Sequence, residues 1–142
     1  MSAVIRKFQV TFDAAEPERL GRFWCEVLGY TAPPPKGFDS WEDFRQSEPE
    51  DKRGSWFALT DPSGEGPRIY IQRVPEGRTA KNRLHLDVRV GTGLVGEERL
   101  AVLEAEATRL EALGAVRVQV LYDGTDSCIS MQDIEGNEFC VD

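Results

Sequence analysis

The sequence predicts an α+β protein of two similar halves, each running strand, helix and then about three further strands. Three observations carry this reading. Alternating apolar and polar residues open both halves, at 4–12 and 84–90, in the period-two pattern of a strand. An amphipathic helix follows each and stops at a glycine, Val27-Leu28-Gly29 in one half and Ala112-Leu113-Gly114 in the other. A turn Asp61-Pro62-Ser63-Gly64 in the first half is answered by Asp133-Ile134-Glu135-Gly136 in the second. At 142 residues the chain fits one domain, 1–142, made of a module at about 1–76 and another at about 82–142.

Each element has a local reason. In the first strand Phe8, Val10 and Phe12 alternate with polar neighbours. Residues 13–17 form the helix entry, and Leu20, Phe23, Trp24, Val27 and Leu28 recur at the three-and-four spacing of a buried stripe. Residues 30–54 are polar and turn-rich, with Pro33, Pro34 and Pro35 in a row, and read as a mobile loop. Strands at 56–60 and 68–74 form a hairpin across the proline and glycine turn. After a basic linker at 75–83 the order restarts with 84–90. A helix follows at 97–113, striped by Leu100, Leu103, Ala107, Leu110 and Leu113, and then strands at 116–121, 128–132 and 139–141. One such half covers one face of its sheet with its helix and leaves the other bare. Pairing two halves therefore predicts a cup with a cavity lined from both.

Composition narrows the function. Hydrophobic residues are 40% and charged residues 30% of the chain, as in globular domains. Against 17 lysines and arginines stand 25 acids, a net charge of -8, which repels phosphate backbones and argues against nucleic acid. Apolar runs are too short to span a bilayer and no signal peptide pattern opens the chain, so no membrane partner and a cytoplasmic location are expected. The three cysteines, Cys25, Cys128 and Cys140, have no CxxC spacing and read as reduced, buried thiols.

The ordered set of motifs resembles the vicinal oxygen chelate superfamily, which includes glyoxalase I, bleomycin- and fosfomycin-resistance proteins and extradiol dioxygenases. The residues that carry the resemblance are Phe12-Asp13, then 20–30 (Leu-Gly-Arg-Phe-Trp-Cys-Glu-Val-Leu-Gly-Tyr). They continue through Asp61-Pro62-Ser63-Gly64, 66–75, 81–88 and the closing 133–141. In particular, the chain is similar to the branch of glyoxalase-like domain proteins. That resemblance implies tandem βαβββ modules in a cupped, partly open mixed sheet with helices outside, and a homodimer. On it, ligands for one divalent metal (zinc, nickel, manganese or magnesium) would sit on the first and last strands of the modules. Gln9 and His85 match the first-strand positions. Gln72 lies on the last strand of the first module, sharing a face with Tyr70. On the final strand the usual glutamate position falls on Cys140, with Glu138 two residues earlier on the same face. The resulting set of Gln9, His85, Gln72, Glu138 and Cys140 is poor in anionic donors, so a site without any cofactor is equally open.

His85 is the one histidine of the chain. A two-histidine, one-carboxylate iron site cannot be built from this chain, which sets extradiol chemistry aside. Glu138 is the candidate base, with His85 as its partner in catalysis or as a pocket-lining hydrogen-bonding residue. Trp41, Trp56 and Tyr70, with Phe44, offer aromatic walls, Trp41 and Phe44 acting as a lid; core packing is the alternative for the tryptophans. Arg68, Arg73, Arg78, Lys81 and Arg83 gather positive charge in an acidic chain, either to attract an anionic ligand or as a solvated linker. Arg68 and Gln72 join the aromatic residues as substrate-binding candidates. Two functions follow: a glyoxalase-like lyase or isomerase acting on a small oxygenated substrate, with or without a divalent metal, or a non-catalytic, drug-sequestering small-molecule binder of the bleomycin-resistance type.

Overall fold

The computed structural model describes residues 4–142 as two compact units that meet in sequence between Gly77 and Arg78, inside the expected basic linker. Each unit holds a small mixed sheet with a long helix on one face, the α+β arrangement expected for tandem βαβββ modules.

In the first unit strand β1 (Gln9–Ala14) leads into helix α1 (Pro17–Leu28), a short helix α2 (Trp41–Ser47), a 3-10 turn at Glu50–Lys52, and strands β2 (Trp56–Leu59) and β3 (Arg68–Arg73). The sheet order is β1-β3-β2. β1 runs parallel to β3, whereas β2 and β3 form the expected antiparallel hairpin. Pleating sends Phe57, Leu59, Ile69 and Ile71 to one face, where they are buried with Leu20, Phe23, Trp24 and Val27 of α1. Phe12 meets Trp24 edge to face at 5.1 Å. The helix comes so close to the sheet that a Cβ on Gly21 would stand 2.1 Å from Phe57 Cδ2.

Three sequence expectations change here. The first strand begins at Gln9, not at residue 4, because its partner begins at Arg68, opposite Gln9; Phe8 is left 69% exposed. The loop at 30–54 contains α2, capped by the Ser40 side chain accepting from Asp43 N at 3.0 Å. Finally, only two strands follow the long helix. The place of a third is held by a single antiparallel bridge, Thr31 to Thr60, and the three prolines that follow have no N–H to extend it.

The second unit repeats the plan more fully: β4 (Leu86–Val88), α3 (Gly96–Ala112), β5 (Val116–Tyr122), β6 (Ser127–Gln132) and β7 (Glu138–Val141), in the order β4-β7-β6-β5. Its first and last strands again run parallel. Ile129, Met131, Phe139 and Val141 are buried with Leu103, Ala107 and Leu110 of α3. The strand expected at 84–90 is confined to three residues, with Leu84 77% exposed before it. The expected helical stripe also differs. Leu113 lies beyond the helix and is exposed, while Arg99 is buried and donates to the carbonyls of Gly91 and Ser127.

The repeated turn has one physical cause in both units. The Asp61 carboxylate accepts from the N–H groups of Ser63 and Gly66, and that of Asp133 accepts from those of Glu135 and Asn137. The Ser63 hydroxyl and the Gly66 and Ser63 amides hold the Asp61 carboxyl below the usual carboxylate range.

Adding one methyl group at Gly21 tests the packing of α1. Gly21→Ala is expected to cost about 1–3 kcal/mol by overpacking against Phe57, despite the gain in helix propensity. Denaturant unfolding of both proteins measures it, and a variant as stable as the parent would show that the contact relaxes freely.

Candidate functional site

Strand alternation sorts the candidate residues before any distance is considered. In the first unit Gln9, Thr11 and Asp13 on β1 stand opposite Arg68, Tyr70 and Gln72 on β3, while Trp56 and Ala58 on β2 stand opposite Gln72 and Tyr70. All eight lie on the face away from α1. Trp56 stacks on Tyr70 with centroids 5.6 Å apart and planes 18° from parallel. The Arg68 guanidinium stands over Tyr70 at 5.7 Å and donates to Gln9 Oε1 at 2.7 Å. Gln72 donates to Asp13 Oδ1 at 2.8 Å. Asp13, expected from the sequence only at the helix entry, is also a member of this face, and its spacing from Gln9 and Thr11 carries that signal.

Trp41 is the expected lid residue that the structure ties down. It is 6% exposed, donates from Nε1 to Ala32 O at 3.0 Å, and packs against Phe44, Trp56 and Phe57. A recess of about 140 Å³ runs beside it, lined by Pro33, Pro34, Pro35, Trp41, Trp56 and Arg68 among others. Whole-ligand pockets are commonly about 300–1,000 Å³, so this recess accepts one ring or one substituent.

In the second unit the candidates separate. Glu138 is drawn to Arg78, with which it forms a close ion pair, and to Lys81 at 3.7 Å; both carboxylate oxygens of the candidate base are engaged. Of the other expected basic residues, Arg73 binds the carbonyls of Arg53 and Asp51. His85 and Cys140, by contrast, come together with Asp87, which was not among the expected site residues. The parallel register places Asp87 opposite Cys140, and His85, two residues before Asp87, brings Nδ1 to 3.2 Å from Asp87 Oδ1. One donor atom from each of the three lies within 4.8 Å of the others. The signal was present as His85-Leu86-Asp87, two donors on one side of an alternating segment.

Such a donor set fits a divalent cation: an imidazole, a carboxylate and a thiol converge, and three protein ligands are the number used by catalytic zinc sites. Gln9 and Gln72 belong to the first unit, where each is bonded within its own sheet, and Glu138 stands outside the cluster.

All three cysteines are half-buried and free rather than fully buried. Burial raises the Cys140 thiol to about 11, helped by Cys128, Asp87 and Asp142. In the metal-free protein Cys140 is thus a protonated thiol. The stability it adds is complete below about pH 9, the ordinary thiol value, and is lost as pH rises through about 11.

Over residues 9–141 the chain matches the glyoxalase-like domain family. Among solved structures it is similar to a fosfomycin resistance protein from Mesorhizobium loti, with 14% identity over 98% of this chain and 91% of that one and a TM-score of 0.64. A glyoxalase/bleomycin resistance protein/dioxygenase family enzyme from Burkholderia phytofirmans gives 14% identity over 94% of each chain and a TM-score of 0.62. A variant of the fosfomycin resistance protein from Listeria monocytogenes, solved with Mn(II) and 1S,2S-dihydroxypropylphosphonic acid, gives 10% identity over 98% of this chain and 90% of that one, at a TM-score of 0.63. No curated protein sequence matches significantly. At these identities the likeness to solved structures carries the fold alone. Among the described residues no helix is long and apolar enough to cross a membrane.

The thiol assignment yields a rate. At pH 8 about one Cys140 in a thousand is thiolate, against about one in ten for a thiol at the ordinary value of about 9. Allowing for the higher nucleophilicity of a more basic thiolate, iodoacetamide should alkylate Cys140 about tenfold more slowly than a free cysteine peptide. Peptide mass spectrometry over a time course reads this directly; equal rates would refute the raised value.

Proposed function

The chain belongs to the glyoxalase-like domain family, and on that premise we propose that it is a small-molecule-binding protein whose ligand is a small aromatic or oxygenated compound with an anionic group. The observation that carries this reading is the arrangement of Trp56, Tyr70 and Arg68 on the helix-free face of the first sheet. Stacked rings present a flat apolar wall, and the guanidinium beside them supplies positive charge in an otherwise acidic chain. Gln9, Gln72 and Thr11 add hydrogen-bonding groups on the same face, as binding sites pair apolar walls with a few polar anchors. Pro33, Pro34 and Pro35 fix the rim of the recess, and the buried Trp41 gives Trp56 a rigid backing. Little ordering entropy is then left for the ligand to overcome.

A second reading, a metal-dependent lyase or isomerase of the glyoxalase type, is favoured by one specific observation, the convergence of His85, Asp87 and Cys140. A divalent cation held there would supply Lewis-acid polarisation of substrate oxygens. The Mn(II) complex of the Listeria fosfomycin resistance protein supports carrying such a cation over to this fold. Against the reading stands Glu138, whose carboxylate is taken up by Arg78 and Lys81 and so is not set free to carry a proton.

Fluorescence titration separates the two. Planar aromatic carboxylates such as benzoate and salicylate should quench the tryptophan emission saturably in metal-free protein. Trp56→Ala should weaken binding at least about tenfold, and Arg68→Gln should weaken the carboxylate more than the matching carboxamide. The binding reading fails if no saturable quenching is seen across such a panel. The enzyme reading requires stoichiometric metal by elemental analysis that disappears in His85→Ala and Asp87→Ala.

A further inference from the structure

We propose that the first unit carries a second binding site, for a small phosphate monoester, in an arginine-lined cleft at the N-terminal end of α1. The cleft lies on the helix-covered side of the sheet. It is therefore separate from the face that carries Trp56, Tyr70 and Arg68, and it stands whether or not that face binds a ligand.

Register brings the arginines together. Arg73 closes β3 opposite Ala14, and Ala14 closes β1 just before α1 begins at Pro17. By alternation Arg73 shares a side with Ile69 and Ile71, both buried with α1, which places it at the start of that helix. From α1 come Arg19 and Arg22, whose spacing makes them neighbours on one helix face. Arg45, in the last turn of α2, is drawn in by a close ion pair with Glu18. These four arginines, with Glu16 and Glu18, line a cleft of about 420 Å³. Pockets that take a whole small ligand are commonly about 300–1,000 Å³.

Charge then decides the class of ligand. Glu18 is shared between Arg45 and Arg22, the latter at 3.6 Å, and Glu16 pairs with Arg19 at 3.6 Å. Arg73 has no carboxylate partner among the described residues. Its guanidinium donates to the main-chain carbonyls of Arg53 at 2.8 Å and Asp51 at 3.0 Å, which orients the cation without neutralising it. Four guanidiniums thus face two carboxylates, and the surplus positive charge stands out in a chain of net charge -8. A phosphate monoester carries about two negative charges at neutral pH, which matches that surplus. The planar guanidinium fork also grips phosphate oxygens in pairs. A singly charged carboxylate or phosphodiester would leave part of the surplus unanswered. The first turn of α1 opens with Pro17 and has no capping side chain, so the positive end of the helix dipole adds to the attraction. Arg19, Arg22 and Arg45 are partly exposed and within reach of a dissolved anion.

The test titrates the full chain with glycerol 3-phosphate by isothermal calorimetry. One site per chain with a Kd below about 1 mM is expected at low salt, and it should weaken as sodium chloride is raised. Dimethyl phosphate, a singly charged diester, should bind at least about tenfold more weakly. Arg73→Gln and Arg22→Gln should each weaken glycerol 3-phosphate at least about tenfold, with circular dichroism verifying that both variants fold. Arg109→Gln, the same charge change at an exposed position of α3 in the second unit, should leave binding unchanged. The proposal is overturned if no saturable heat appears up to about 10 mM. It is overturned equally if all three variants weaken binding alike, because the attraction then belongs to net charge and not to the cleft. Binding of a phosphoserine peptide without binding of glycerol 3-phosphate would replace the small molecule by a protein partner. Salicylate quenching should persist in Arg73→Gln, so failure of this site and failure of the aromatic face are read apart.

Discussion

Parallel pairing between the first and last strands of each unit is the constraint from which the rest of the structure follows. Two parallel strands cannot be joined by a tight turn, so the chain must leave the sheet and return from the far end. In both units a long helix follows the first strand and the intervening antiparallel strands complete the return, and the helix covers one face of the sheet only. Every strand residue is thereby assigned to a helix-packed side or to an uncovered side by a period of two. Ile69, Ile71, Phe57 and Leu59 fall on the first, as do Ile129, Met131, Phe139 and Val141 in the second unit. The strand residues of the candidate site fall on the other.

That sorting explains why polar and reactive side chains gather without any loop bringing them together. Arg68 stands over Tyr70, and Tyr70 under Trp56, because β3 lies between β1 and β2 in its sheet. Asp87 faces Cys140 because β7 lies between β4 and β6. A slip of one residue in either register would send these groups into the helix interface and the apolar residues out to solvent, a loss of several buried side chains at once. The same apolar packing that stabilises each unit therefore also fixes the geometry of its uncovered face.

How much of this could be read in the sequence depended on whether the signal was local. The period of two in the strands, the three-and-four stripe of α1 and the glycine stops at Gly29 and Gly114 are local, and they led to the right elements in the right order. The shared face of Tyr70 and Gln72, and of Glu138 and Cys140, followed from alternation within one strand. The α2 helix was missed because seven residues carry too little periodicity, although Ser40 with Asp43 three residues on is a capping signal. Asp87 was missed for another reason. Alternation in His85-Leu86-Asp87 puts it on one side with His85, but its meeting with Cys140 depends on which strands pair and in what register, and no local pattern encodes that part.

The two units also show how one scaffold diverges by small changes in its connections. After α1 the chain meets three prolines, which remove the amide donors a further strand needs. One bridge at Thr31 is what remains of that strand, and the freed length forms α2 and its buried Trp41. After α3 the corresponding stretch is Val116–Tyr122, free of proline, and it forms a full seven-residue strand. One unit thus acquires an aromatic recess with a proline rim, while the other keeps a four-stranded sheet on which His85, Asp87 and Cys140 converge where β4 meets β7. Proline content in a single connection is enough to give the two halves of a repeated fold different strands and different uncovered faces.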